Sequence, residues 1–497
     1  MLEEVEEQGK FILAAEDCSP DLFKKLHIFS QYEQRIILSL MAHGPVLLRG
    51  GRGSGKSVLL KAAHDRIKEK SATAFSVYLS LRNLPLLRSK DDEYETKFCE
   101  LLIQSVNLAL KESGLKDNGE PIIFSAIPAV SPIQQALVKL SRQLNRRIVL
   151  FFDDAAHLGR ETSLEGFFDI FRILSSSSLS CKATIYPGVT TLGTRFDVYN
   201  DATVINIARD ENAPFFTAFF LDVMAARYPA LLEENKTTDT LDKSKLAAFL
   251  GKAVLGNMRA FIFLCNQLEE LPKIGLPQLK SGLINMASNY YWPLLEELKQ
   301  KLGIYESLIE PSIRLANDIF RTAAEKSTSS IIIHRDLMQK WAKPFEILDY
   351  AGLISRRQVS IAMKSGGRGS RFTLNLCNLL ESTSSLTSEQ FSAWLQAQSK
   401  STEIHINTRS RLLEIALPKL PLDKTLSVLE LPIDALIESQ FYPYGLTQTQ
   451  VNVLKNNQIE KIRELADTSD KQLRSLSGIG EKSVNHIRNM LGQVIWM

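Results

Sequence analysis

Residues 50–57 read Gly-Gly-Arg-Gly-Ser-Gly-Lys-Ser, directly after the apolar run Pro45–Arg49, and match G-x-x-x-x-G-K-[ST]. This segment constrains the fold more than any other. Its glycines let successive N–H groups turn inward around phosphate oxygens, and a following helix offers them its positive N-terminus. Gly50, Gly51, Arg52, Gly53, Ser54 and Gly55 form the cradle, Lys56 is placed to reach the β- and γ-phosphates of ATP, and Ser57 to ligate Mg²⁺. A strand, a phosphate loop and a helix in that order commit this part of the chain to an α/β fold.

The surrounding pattern agrees. Strand-like runs at Phe75–Leu81, Arg147–Phe152, Ala183–Tyr186 and Thr203–Ile207 alternate with helical spacing at Tyr94–Leu110 and Leu164–Leu174, which predicts a parallel sheet covered on both faces. Val149-Leu150-Phe151-Phe152-Asp153-Asp154 is an apolar strand ending in two acids, about a hundred residues after the glycine loop. Asp153 is placed to hold Mg²⁺ through water, and Asp154 to polarise an attacking water. No N-K-x-D guanine motif accompanies the loop, which argues against a regulated GTPase.

Composition limits the alternatives. With 497 residues and 44% hydrophobic content there is room for three or four packed domains. A net charge of +3 is too mild to demand a nucleic-acid partner, so any basic surface must be local. The start is acidic where a secretory signal is basic, and no apolar run reaches the length of a membrane span, which predicts a cytoplasmic protein without membrane association. Cys18, Cys99, Cys181, Cys265 and Cys377 are scattered without a CxxC pair and read as buried free thiols in a reducing compartment.

Residues 25–380 resemble the origin-recognition and helicase-loader branch of the AAA+ ATPases. The resemblance implies an ATPase converting ATP and water to ADP and phosphate. It implies an α/β P-loop AAA+ core over 25–210, preceded by an N-terminal segment 1–24, a helical lid over 211–303 and a winged helix over 304–380. It makes Thr190, after the strand ending at Tyr186, the polar sensor 1. Gly193-Thr194-Arg195-Phe196 is similar to the family's Ser-Arg-Phe segment, which makes Arg195 an arginine finger acting on a neighbour's ATP in a homo-oligomer. Leu255-Gly256-Asn257-Met258-Arg259 resembles the lid helix whose arginine, sensor 2, touches the γ-phosphate. The second acid is usually Glu in this family and is Asp154 here, which leaves the rate of hydrolysis open.

In the winged-helix segment, Arg356, Arg357, Lys364, Arg368 and Arg371 occur without an acid between Ile354 and Leu376, and suit DNA phosphates. The helix ahead of them, Phe345-Glu346-Ile347-Leu348-Asp349-Tyr350, is apolar and acidic and poorly suited to base edges. Wing-first DNA contact and packing against protein both remain open. A Ser/Thr-rich stretch from Glu381 predicts a linker over 381–427. The tail, 428–497, is all-α. Leu476-Ser477-Gly478-Ile479-Gly480-Glu481-Lys482-Ser483 matches a helix-hairpin-helix turn, in which Gly478, Gly480, Lys482 and Ser483 can hold a DNA phosphate. From Leu431 to Leu491 the tail resembles the C-terminal domain of the RNA polymerase alpha subunit, a module that contacts duplex DNA backbone and also binds proteins. Together these parts imply a DNA-associated ATPase of loader, anti-phage or mobile-element type. The rival is an ATP-gated scaffold with slow or no hydrolysis that recruits a partner effector protein.

Overall fold

The computed structural model describes residues 18–496 except 82–90, 115–119, 125–128, 156–160, 188–191, 193–194, 240, 300–301, 365, 384–385, 396–402, 408–409, 411–414, 419–426 and 439–444. Five parallel strands, β1 (Val46–Arg49), β2 (Ala74–Ser80), β3 (Arg147–Asp153), β4 (Leu179–Ile185) and β5 (Thr203–Asn206), form one sheet in the order β2-β3-β4-β1-β5. Burial on both faces follows from the strand sequences. Along β3, Ile148, Leu150 and Phe152 enter one core with the helices Asp91–Glu112 and Glu161–Leu174, while Val149 and Phe151 enter a second core with the helices Gln31–Met41 and Lys56–Lys70. β4 begins at Leu179, four residues before the expected strand. Polar Ser180 and Lys182 hide the run from a hydrophobicity reading, yet both are buried, with Lys182 Nζ donating to the Ala42 and Gly44 carbonyls.

After β5 the fold is helical through Phe216–Arg227, Lys243–Ala253, Met258–Glu269, Leu276–Met286, a π-helical turn at Ala287–Tyr291, and Trp292–Lys299. The winged helix follows: Ile309–Glu325, β6 (Ser330–His334), Arg335–Lys340, Ala342–Ala351, β7 (Ile354–Ala362) and β8 (Arg368–Leu374). Lid and winged helix share one hydrophobic core that runs from Phe216 through Trp341 to Ile406. The segment expected to be a plain linker joins that core. Its helix Ser388–Leu395 buries Phe391 against Phe249, and β9 (Ile404–Ile406) pairs parallel to β6, giving a second sheet in the order β7-β8-β6-β9. The reason lies in short amphipathic patterns, Phe391 with Trp394 and Ile404 with Ile406, that the Ser/Thr-rich composition around them obscures.

The tail has its own core, with Ile433, Leu436, Val451, Leu454, Ile462, Leu473, Val484 and Ile487 at its centre. Helices Asp470–Ser475 and Glu481–Trp496 flank the hairpin, where Gly478 has φ +89°. All five cysteines are buried. No helix of the described residues is long and apolar enough to cross a membrane.

Candidate nucleotide site

The glycine loop leaves β1 with Gly50 N–H donating to the Ile185 carbonyl at the end of β4. Gly53 (φ +78°) and Gly55 (φ +94°) then take left-handed conformations that L side chains resist. Gly55 is the N-cap of helix Lys56–Lys70, and the first N–H groups of that helix receive no side-chain cap. The Lys56 ammonium curls back to donate to the Gly50 and Gly51 carbonyls at 2.9 and 3.1 Å, and lies 3.9 Å from the centroid of the Tyr186 ring. Only 7% of Lys56 is exposed. Burial lowers its pKa to about 7, against the opposing pull of Asp153 and Asp154.

The two acids stand at the end of β3. Asp153 is fully buried and accepts from Tyr78 Oη at 2.6 Å and from Thr184 Oγ1 at 3.1 Å. Asp154 turns out of the strand at φ +53°, and its N–H donates to Asp153 Oδ1 and Thr184 Oγ1. Tyr78 and Thr184, from the strands on either side, thus hold the acidic pair in place. Neither was expected from the sequence. A buried threonine in β4 beside the acids was the available signal, but its register with β3 is a tertiary fact. Thr190, the expected sensor, lies outside the described residues.

The lid closes the other side. Asn257 caps helix Met258–Glu269 and donates through Nδ2 to the Arg52 carbonyl at 2.6 Å, while the Arg259 N–H donates to the Gly53 carbonyl at 3.2 Å. A Cβ on Gly53 would stand 2.6 Å from Asn257 Oδ1 and 2.7 Å from Arg259 Cβ. Arg209, which follows β5, is another residue that sequence reasoning missed. Its guanidinium pairs with buried Glu33 at 2.7 Å and donates to the Ser54 and Gly256 carbonyls, which joins the first helices, the loop and the lid. Loss of one partner of such a buried pair costs about 3–5 kcal/mol. Arg195 is elsewhere: its side chain is 72% exposed, 3.7 Å from Asp169, and the next residue, Phe196, is anchored on Phe168 and Phe171.

Among solved structures, this protein is similar to a Walker-type ATPase of Pyrococcus abyssi, at 16% identity over 71% of its own length and 95% of the other's, with TM-score 0.43. It is also similar to the Aeropyrum pernix ORC1 protein solved in complex with DNA (13% identity, 78% and 95% covered, TM-score 0.34). A third is domain III of the Thermotoga maritima replication initiation protein DnaA (15% identity, 53% and 96% covered, TM-score 0.29). Residues 443–493 match the family model of the C-terminal domain of the bacterial RNA polymerase alpha subunit. No curated protein matches the sequence. The fold itself is a five-stranded parallel α/β sheet with a glycine loop after β1, a helical segment, a winged-helix unit and a separate helical tail.

The five wing cations divide. Arg357 turns inward to Glu211 at 2.7 Å, with both side chains mostly buried, and Arg371 pairs with Glu403. These two are struts rather than free phosphate contacts, because β7 and β8 lie against the core and the returning segment. Arg356, Lys364 and Arg368 stay exposed. Helix Ala342–Ala351 buries Phe345, Ile347, Leu348 and Tyr350. In the tail, Lys482 is exposed and Ser483 is partly so, whereas Lys455, Lys461, Arg463, Arg474 and Arg488 pair with the tail's own acids. A Cβ on Gly478 or Gly480 meets no neighbour within 4 Å, and only Gly478 of the two is left-handed.

Proposed function

We propose that this protein binds ATP with Mg²⁺ and hydrolyses it as a DNA-associated AAA+ ATPase. The observation that carries the reading is convergence: the ends of β1, β3 and β4 and the first turn of the lid helix meet on one glycine loop. The donor set fits a nucleotide. Ser54 Oγ and Arg259 Nε are buried there without a hydrogen-bond partner among the described residues, and the buried Lys56 amine, its pKa lowered to about 7, would regain its full charge beside a phosphate. The loop N–H groups and Lys56 would hold the phosphates, with Arg259 at the γ-phosphate. Ser57 and Asp153 would hold Mg²⁺, which neutralises charge on the phosphates when bound. Asp154 would orient the attacking water, its backbone fixed by Asp153 and Thr184. Arg195, exposed and 3.7 Å from Asp169, would act on a neighbouring subunit in an oligomer.

For DNA we propose backbone contact by Arg356, Lys364 and Arg368 of the wing and by Lys482, Ser483 and the Gly478–Gly480 turn of the tail, with Arg357 and Arg371 supporting the wing from within. One observation favours the second reading, an ATP-gated scaffold that recruits a partner protein. Asp154 is a methylene shorter than Glu and leaves the strand in a left-handed conformation, which limits its reach toward a water. Phosphate release by the wild type, Lys56→Ala and Asp154→Asn separates the two. An ATPase loses binding in the first variant and turnover alone in the second, whereas a scaffold binds ATP without turnover to lose.

A further inference from the structure

The C-terminal end of the winged-helix element Ala342–Ala351 is seated on the phosphate loop itself. A Cβ on Gly51 would stand 3.1 Å from the Tyr350 carbonyl oxygen and 3.2 Å from that of Asp349. The Arg52 N–H points to the Tyr350 carbonyl at 3.4 Å. A second route runs through side chains: the Tyr350 ring meets the Tyr186 ring edge-on at 5.1 Å, and Tyr186 in turn lies over the Lys56 ammonium. The position of Lys56 is therefore built partly by the winged helix, through Gly51 on one side and Tyr186 on the other.

We propose that Tyr186 and Tyr350 form a latch that holds the winged helix on the phosphate loop, and that ATP loosens it. The inference rests on the ATP reading above and adds its mechanical consequence. Two physical effects drive it. The carbonyl end of a helix carries partial negative charge, so the Asp349 and Tyr350 carbonyls repel a polyphosphate entering beside them. Phosphate also draws the Lys56 ammonium away from the Tyr186 ring, which removes the attraction between them. Coupling is reciprocal, so whatever ATP takes from the latch, the latch takes from ATP affinity. Tyr186 and Tyr350 are positioning residues, since they act through Lys56 and the loop. The released end of Ala342–Ala351 and the exposed wing cations beside it would then be free to move together. The Arg357–Glu211 and Thr373–Glu211 contacts limit how far they travel.

The test uses the full-length protein and a slowly hydrolysed ATP analogue with Mg²⁺. Amide hydrogen exchange of residues 342–351 in the wild type is expected to rise about tenfold when the analogue is bound, and unchanged exchange with the analogue bound overturns the latch. Analogue titration of Tyr186→Ala and Tyr350→Leu is expected to give about tenfold tighter binding, with Tyr186→Phe, which keeps the ring face, restoring the wild-type value. Equal or weaker binding by folded Tyr186→Ala also overturns it. The exchange measurement needs no variant, so misfolding of Tyr350→Leu leaves the proposal exposed to refutation. A wild type that binds no nucleotide refutes the ATP reading, and the latch falls with it.

Discussion

Gly53→Ala should unseat the lid from the phosphate loop. The left-handed backbone at φ +78° costs an L residue about 1–2 kcal/mol. The new Cβ would also meet Asn257 Oδ1 at 2.6 Å and Arg259 Cβ at 2.7 Å, and these belong to the first turn of a packed helix. Relieving that overlap adds about 1–3 kcal/mol. Gly114→Ala controls for left-handed strain outside the loop, because Gly114 has φ +66° and a Cβ there meets nothing within 4 Å. Amide exchange at Arg259 and Ala260, read as local opening, is expected to rise by about one and a half to three and a half decades in Gly53→Ala and to stay at the wild-type rate in Gly114→Ala. ATP-analogue affinity should fall in the first variant only. Wild-type protection of the lid helix in Gly53→Ala would refute the claim that the lid is built against this glycine.

Three further expectations follow from the same geometry. Burial brings the Lys56 pKa to about 7 against 10.5 in the unfolded state, so the free protein sheds a proton there that bound phosphates would restore. ATP-analogue affinity should therefore weaken about fivefold from pH 7 to pH 8 by titration, with a flatter profile in Lys56→Arg, while fold stability from this group rises with pH between the two values. Mixing Arg195→Ala with Lys56→Ala protein should recover part of the wild-type phosphate release at shared interfaces; no recovery at any ratio, with assembly intact, would remove the trans role. In the tail, Lys482→Glu should weaken binding to unrelated duplexes alike and flatten the log–log salt slope by about two units in anisotropy titrations. Gly478→Val should strain the left-handed turn, whereas Gly480→Val should fold within ~1 kcal/mol of wild type, so lost DNA affinity there reports a blocked phosphate. Full affinity in both Lys482→Glu and Gly480→Val would make the tail a protein-docking module.

The parts legible in the sequence are those whose physics is local. The glycine loop, the buried run ending in Asp153 and Asp154, the hairpin glycines of the tail and the order of strands and helices are each written within a few consecutive residues. What escaped depends on register and distant contact. Thr184 reaches Asp153 only because β4 lies beside β3, and Arg209 finds Glu33 across 176 positions. The wing cations read as one charge run, but strand alternation against a core sends Arg357 inward to Glu211, while Arg371 finds Glu403 on the returning segment. Composition misdirected the reading at 381–427, where two apolar pairs, not the Ser/Thr content, decide the packing. It also treated Gly478 and Gly480 alike, though only Gly478 needs the freedom of glycine in φ.

The central claim is that the residues meeting on the glycine loop turn over ATP, and steady-state phosphate release tests it most directly. The measurement compares wild type with Lys56→Ala in Mg²⁺-ATP, with and without saturating duplex DNA. Release by the wild type should exceed that of Lys56→Ala and rise further with duplex. A wild type that binds ATP yet releases phosphate no faster than Lys56→Ala under either condition would contradict it and leave the ATP-gated scaffold in its place.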